Sequence, residues 1–190
     1  KLFFLTHINI VQLFNLQFSE PYFMDTLVRL SISGFDFDIL FPDFSQRSTG
    51  GSITLGYPLF TNSQGIEELS AAMTYKLENV DISSGGRITR EARHIGSLFR
   101  GGLTSSLRFS LFYDSRNNRF FPSDGSIHTA SVELADDSLT QSQAEFIKYD
   151  WESHTYLPLL WQFVLHLNVD VGWVTNLDPN KPIPLQERYL

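Results

Sequence analysis

The side chains able to do chemistry in this chain are few and poorly assembled. The histidines are His7, His94, His128, His154 and His166, and no pair of them has the helix-face spacing of a metal site. There is no cysteine, so neither a thiolate metal site nor a disulfide framework is available. Glu152 and His154 lie two residues apart. On an extended strand they share a face and would offer a cation two ligands; a solvated pair satisfies the same pattern. Serine, histidine and aspartate all occur, but without a Gly-x-Ser-x-Gly elbow to expose a nucleophile. Gly50-Gly51-Ser52 and Gly101-Gly102-Leu103 open no helix and are not phosphate loops. Asp114 and Arg116 would pair to order a turn near an inner wall, or stand as a solvated hairpin end worth about 0–1 kcal/mol. Arg87, Arg90, Arg93 and Arg100 crowd one polar stretch that would meet anionic headgroups, a partner or water. These sets make no catalytic centre. The chain is expected not to be an enzyme, and to need no metal or cofactor.

Elements that could position such residues are legible from composition and period. The chain has 190 residues and a formal net charge of -7, with no basic patch of the kind a nucleic-acid binder needs. Its mean hydropathy of -0.10 suits a soluble protein, and no run of about 18 uncharged apolar residues exists to form a membrane helix. A strand that alternates lipid-facing and water-facing residues dilutes its hydropathy by half, so a barrel stays open. Phe 17, Tyr 7 and Trp 3 make an aromatic excess. Lys1 followed by Leu2-Phe3-Phe4-Leu5 mimics a signal peptide, but His7 and Asn9 interrupt it. Lys1 is read as a cut inside a longer protein.

The dominant signal has period two. Phe14, Leu16 and Phe18 alternate with Asn15, Gln17 and Ser19, and Val28, Leu30 and Ile32 with Arg29, Ser31 and Ser33. Ile53, Leu55 and Tyr57 alternate with small polar residues, as do Met73, Tyr75 and Leu77 with Thr74, Lys76 and Glu78. Leu103 to Asp114, Ile127 to Leu134, Ile147 to Glu152 and Trp161 to Trp173 continue the series, with His128 on the outward face. Turn chemistry separates the runs at Glu20-Pro21, Pro42-Asp43, Asn62-Ser63, Gly85-Gly86, Pro122 to Gly125, Asp136-Asp137, Leu157-Pro158 and Asp178 to Asn180.

A soluble sandwich also alternates, but its strands average only about 5–6 residues. Trp161 and Trp173 are twelve residues apart on one face, which predicts a single strand of roughly 40 Å. Tilted by about 40°, it would rise on the order of 30 Å, matching an apolar band bounded by aromatic girdles at Trp161 and Trp173. Large apolar residues on one face of nearly every run, and charges on the other, predict an all-β transmembrane antiparallel up-and-down barrel. The charges would line a lumen.

Longer motifs point the same way. The segment from Tyr113-Asp114-Ser115-Arg116 through Arg119, Pro122 and Gly125 resembles the Tyr-Asp-x-Arg…Pro-x-x-Gly strand-turn-strand signature of BamA-type outer-membrane assembly proteins, the bacterial surface antigen family. Leu13 to Phe23 and Arg47 to Pro58 resemble earlier strands of that barrel, in family order. Pro184-Leu185-Gln186-Glu187-Arg188-Tyr189-Leu190 resembles the approach to its long sixth extracellular loop. The resemblance implies that residues 1–190 are part of one barrel domain, about eight or nine strands of about sixteen. Periplasmic POTRA domains, the terminal gate strands and the Val-Arg-Gly-[Phe/Tyr] motif of the sixth loop are not in this sequence. It further implies a multi-pass barrel of a Gram-negative outer membrane. Its partners would be nascent outer-membrane β-barrel proteins, accessory assembly lipoproteins and outer-membrane lipid. The work would be folding and inserting other barrels. A TamA-like or two-partner-secretion translocation barrel, or the membrane anchor of a fused patatin-like lipase, would carry the same motifs.

Overall fold

The computed structural model describes the backbone of residues 9–40, 44–63, 65–84, 101–140, 142–179, 181, 183 and 187–189. Among the described residues eight antiparallel strands follow one another in sheet order as in sequence: β1 (Asn9–Glu20), β2 (Arg29–Leu40), β3 (Phe44–Thr61), β4 (Glu67–Ser84), β5 (Gly102–Asp114), β6 (Gly125–Ala135), β7 (Phe146–Pro158) and β8 (Val164–Asn176). This is an up-and-down meander, open at β1 and β8. One four-residue helix, α1 (Asp137–Thr140), caps the β6–β7 connection. The predicted runs fall within strands, except that Val28 precedes β2 and the Trp161 run starts too early. β3 and β4 extend to 18 residues each, longer than their alternation alone suggested.

Register carries the alternation across the whole sheet. Leu30 pairs with Leu55, Leu55 with Met73, Met73 with Phe109, Phe109 with Val132, Val132 with Tyr149 and Tyr149 with Trp173. The adjacent row on the other face runs Ser31, Thr54, Thr74, Arg108, Glu133 and Lys148. Because side chains alternate strictly, a slip of one residue would exchange these faces. Hydroxyl pairs bridge the polar rows, Ser33 to Ser52 at 2.8 Å and Thr54 to Thr74 at 2.9 Å.

Burial is inverted relative to a soluble protein. Among the described residues the buried hydrophobics are only Val80, Ala135, Ala144 and Phe146, whereas Ser48, Thr104, Ser106, Ser131, Glu133 and Glu187 are buried. Phe14, Leu16, Phe18, Phe109, Val171 and Trp173 are all more than half exposed. Water does not support a continuous apolar surface of that extent; hydrocarbon does. With its ladder bonds satisfied strand to strand, a β-sheet of this kind meets the lipid constraint everywhere except at open edges.

The apolar belt is bounded. On β4 the outward residues Leu69, Ala71, Met73, Tyr75 and Leu77 give way to Asn79 and Asp81. Those eight residue steps are roughly 27 Å of strand, or a height of about 20 Å at a 40° tilt. Beyond the belt Asp36 accepts from Arg47 at 3.1 and 2.8 Å and from Thr49 at 2.9 Å on the outward side. Phe35 and Phe37 there stack on the inward side, with ring centroids 5.6 Å apart. The upper ends of β2 to β4 thus reverse the polarity of their two faces above the belt.

One expectation is overturned. Trp161 does not lie on β8: it sits in the β7–β8 turn with φ 66° and is 92% exposed. The turn closes through the Leu159 amide donating to the Phe163 carbonyl at 2.8 Å, and the strand begins at Val164. Trp161 and Trp173 therefore do not bracket one strand. The apolar pattern ran on through the turn because the turn itself is apolar. Trp173 does occupy the outer row beside Tyr149.

Candidate functional site

Charges on the inner wall are placed by register. Arg108 on β5 stands opposite Glu133 on β6, and Glu133 opposite Lys148 on β7. Arg108 Nε donates to Glu133 Oε2 at 3.0 Å and its Nη2 contacts the same oxygen; Ser106 Oγ donates to Oε1 at 2.5 Å. Glu133 is only 1% exposed, and a buried carboxylate persists only when paired and hydrogen-bonded. One strand away Lys76 reaches Glu78 at 2.8 Å. On β7 Asp150 accepts from Ser131 at 3.2 Å.

The chain after β8 folds back across this wall. Its upper part is held by Lys181, which meets Glu145 at 2.5 Å and Asp137 at 3.7 Å. The Glu145 carboxylate raises the Lys181 ammonium above its ordinary value. Ile183 packs on a small apolar cluster of Ala135, Ala144 and Phe146. Further along, buried Glu187 lies between Lys76 of β4 at 3.5 Å and Lys148 of β7 at 3.7 Å. A segment leaving β8 that touches β4 requires the sheet to curve around it, with the polar face concave. Arg188 Nε turns back to donate to the Ile183 carbonyl at 3.0 Å.

Tyr189 completes the dock. Its ring lies 4.9 Å beneath Lys148 Nζ, a cation–π distance, and its hydroxyl is directed at Asp150. Burial and that carboxylate push the phenol above its ordinary range, so it remains a proton donor. The ring occupies the space over Gly172, where any Cβ would overlap it. Gly172 faces Asp150 across the β7–β8 ladder. A Gly172→Val substitution is therefore expected to expel Tyr189 while leaving the ladder intact, because valine favours strands. Limited proteolysis of the segment after Asn176 in the intact protein would accelerate; an unchanged rate would contradict the dock.

At the opposite end the Asp114 to Gly125 turn is tied into the wall. Asp114 accepts from Arg116 Nε at 2.9 Å and Nη2 at 2.8 Å, and Arg119 Nε lies 3.3 Å away. Hydrogen bonding to that carboxylate raises the Arg116 guanidinium above its usual value. Both partners are mostly buried, which favours the ordered inner-wall pair over the solvated hairpin end. Arg119 also donates to the Glu67 carbonyl at 2.8 Å, and Glu67 takes a bidentate contact from Arg29 at 3.0 and 2.9 Å. Asn117 Oδ1 accepts the amides of Ser123 and Asp124, closing the loop around Pro122. Gly125 has φ 96°, and a Cβ there would strike the Ser115 carbonyl. Gly125→Ala is expected to cost about 1–3 kcal/mol through that left-handed backbone, read as a lower urea midpoint of the refolded barrel. An unshifted midpoint would show that the turn relaxes freely.

Other sequence candidates fall as follows. Glu152 Oε1 is 2.6 Å from His154 Nε2, and His154 Nδ1 is 3.3 Å from His166 Nε2. Both ring nitrogens of His154 are thus engaged, and among the described residues no group of three or more suitable side chains gathers to hold a metal. His128 stacks between Tyr113 and Trp151 on the outer face, where the alternation puts it. The Arg87, Arg90, Arg93 and Arg100 stretch, the Pro42-Asp43 and Gly85-Gly86 breaks, His7, His94, Pro184, Leu185, Gln186 and Leu190 lie outside the described residues. Lys76, Arg108, Lys148 and Asp150 were recognisable as polar-face charges, but their partners were not, and Glu133 and Gly172 were not singled out. The signal for Glu133 was its position between outward Val132 and Leu134.

Comparison with known proteins is consistent with this architecture. The sequence model described as the Omp85 superfamily domain matches residues 8–190. No curated protein matches the chain. Among solved structures it is similar to BamA from Haemophilus ducreyi lacking POTRA domains 1–3, with a TM-score of 0.73 at 20% identity. That likeness covers 93% of this chain and 35% of the other, so the chain spans about a third of the BamA chain it matches.

Proposed function

We propose, from the premise that this chain belongs to the Omp85 superfamily, that it is wall of an outer-membrane barrel whose parent protein folds and inserts other β-barrels. The observation that carries the reading is the inverted burial: an apolar exposed face on every strand and a charged face wrapped around a docked segment. The work would be non-covalent. An exposed strand edge can template an incoming strand by β-augmentation, and a wall of limited height deforms the adjacent bilayer and lowers the insertion barrier. Nascent outer-membrane barrels are the clients in this reading, with accessory lipoproteins and outer-membrane lipid as partners and no catalytic residue in the wall. A Gram-negative outer membrane is its site. Residues 1–190 act as one domain.

A translocation barrel of TamA-like or two-partner-secretion type shares the polar lumen. The docked segment bearing Glu187 and Tyr189 occupies the concave face, which weighs against a freely open pore. Depleting the intact protein and quantifying other outer-membrane barrels tests the insertase role. Lower barrel levels are expected; unchanged levels with impaired secretion of a single exported substrate would assign the translocation role instead.

A further inference from the structure

β5 outruns its neighbour β6 at one end. Its ladder with β4 is continuous up to the pair Val80 and Gly102, whereas its ladder with β6 begins only at Leu107 opposite Leu134. The stretch from Gly102 to Ser106 therefore overhangs β6 by roughly 16 Å of strand. Leu103 and Ser105 stand in the rows of Asn79 and Leu77 on β4, so the overhang lies at the upper rim of the apolar belt. A bare strand edge presents backbone donors and acceptors at alternate residues. Here the β6–β7 connection crosses the edge as a strap, without forming a strand. The Gln143 amide donates to the Leu103 carbonyl at 3.0 Å, the Leu103 amide donates to Gln143 Oε1 at 3.3 Å, and the Ser105 amide donates to Ser142 Oγ at 3.2 Å.

Side-chain oxygens thus stand in at this edge for the backbone carbonyls of a partner strand. The substitution is stretched, because Ser142 Oγ also accepts the Ala144 amide at 3.2 Å and so serves two donors. Gly102 leaves room for the strap, since a Cβ there would overlap Gln143 Oε1. β5 itself does not depend on these contacts. Its other edge is paired with β4, and Ser105 Oγ donates to the Tyr75 hydroxyl at 2.8 Å. The strap is tied instead to the chain after β8: Lys181 meets Asp137 before it and Glu145 after it, and Ile183 packs on the cluster that contains Ala144. Residues 142–144 can therefore leave β5 while the Leu107 to Asp114 ladder with β6 stays whole.

We propose that the overhanging edge of β5 is a docking site for an extended polypeptide strand, which displaces the strap and continues the line of β6. The chemistry of the edge selects this partner. Leu103 and Ser105 lie two residues apart, and the groups they turn away from β4 are an amide, a carbonyl and a second amide. Another extended backbone complements that alternation bond for bond, and the strap already does so once, through the Gln143 amide. A lipid headgroup offers acceptors for the two amides but no regular donor for the Leu103 carbonyl. The proposal rests on the barrel-wall reading above and gives its client strand a point of contact within the wall.

Two measurements on the intact protein in detergent test it. In hydrogen exchange the amides of Leu103 and Ser105 should exchange at least about tenfold faster than those of Phe109 and Leu111, which lie within the β6 ladder. Equal rates would mean that the strap does not open, and would overturn the proposal. The second probe is a short peptide of alternating valine and threonine, flanked by lysines and carrying a photo-crosslinker; its control has alternate amides N-methylated, which blocks a ladder. Ser142→Ala/Gln143→Ala loosens the strap at β5, and Lys181→Met loosens it from the other side. Each should raise crosslinking to β5 by about tenfold, the weight of one or two side-chain hydrogen bonds. The chain has no cysteine, so a Leu103→Cys/Gln143→Cys disulfide should abolish capture until it is reduced. Unchanged capture in both loosened variants, or equal capture of the methylated peptide, overturns the docking site. Capture of the peptide with unchanged barrel levels on depletion would keep the site and reject the insertase role; lowered barrel levels without capture would do the reverse.

Discussion

Replacing Glu133 with alanine should destabilise the barrel by about 3 kcal/mol, toward the low end for breaking a buried ion pair because Arg108 keeps 39% of its side chain exposed. The substitution removes the acceptor of both Ser106 and Arg108 in one step. It leaves the guanidinium on the concave wall between Thr74 and the vacated position. The check is a urea titration of the intact protein in detergent, comparing Glu133→Ala, Glu133→Leu, Arg108→Met and the double variant Arg108→Met/Glu133→Leu. A wall in which the pair acts as a unit predicts that the double variant recovers most of the loss, since apolar replacement of both partners is often neutral. Losses that simply add would show that Arg108 and Glu133 act through separate contacts.

Reversing the charge at Glu187 should release the segment beyond β8 from the wall. Glu187→Lys would place three ammonium groups together, where the native carboxylate lies 3.5 Å from Lys76 and 3.7 Å from Lys148. Glu187 is buried, so the repulsion is weakly screened; the expected loss is about 3 kcal/mol of docking free energy. Released, Tyr189 would no longer cover Lys148 and Gly172. Limited proteolysis between Asn176 and Leu190 should then accelerate by a factor of about 100, the exponential of that energy when cleavage follows local opening. Glu187→Gln should fall between, since an amide keeps one acceptor. If cleavage in Glu187→Lys is no faster than in the native protein, the segment is held by Lys181, Ile183 and Tyr189 without Glu187.

Period-two alternation told which residues share a face, because side-chain direction in a strand is a local property. The strand series, the outward aromatic rows, the lumen charges and the Asp114 to Gly125 turn were all legible on that ground, and turn residues such as Pro122 and Gly125 carry their own backbone preferences. The alternation failed at Trp161, where an apolar turn was indistinguishable from a strand continuing in phase. It was silent above Leu77, where the outward residues become Asn79 and Asp81 and the strand simply runs on past the belt.

What the chain could not disclose locally was partnership. Arg108 meets Glu133 because β5 and β6 pair in one register among several, and that register is a property of two strands and their turn. Glu187 reaches Lys76, more than a hundred positions away in sequence, only after the sheet has curved enough to bring β4 and β7 around one segment. Gly172 reads as an unremarkable strand glycine until Tyr189 lies across it. Facing follows from the geometry of each strand, but pairing and curvature arise from strands acting together, and the charged dock exists only at that level.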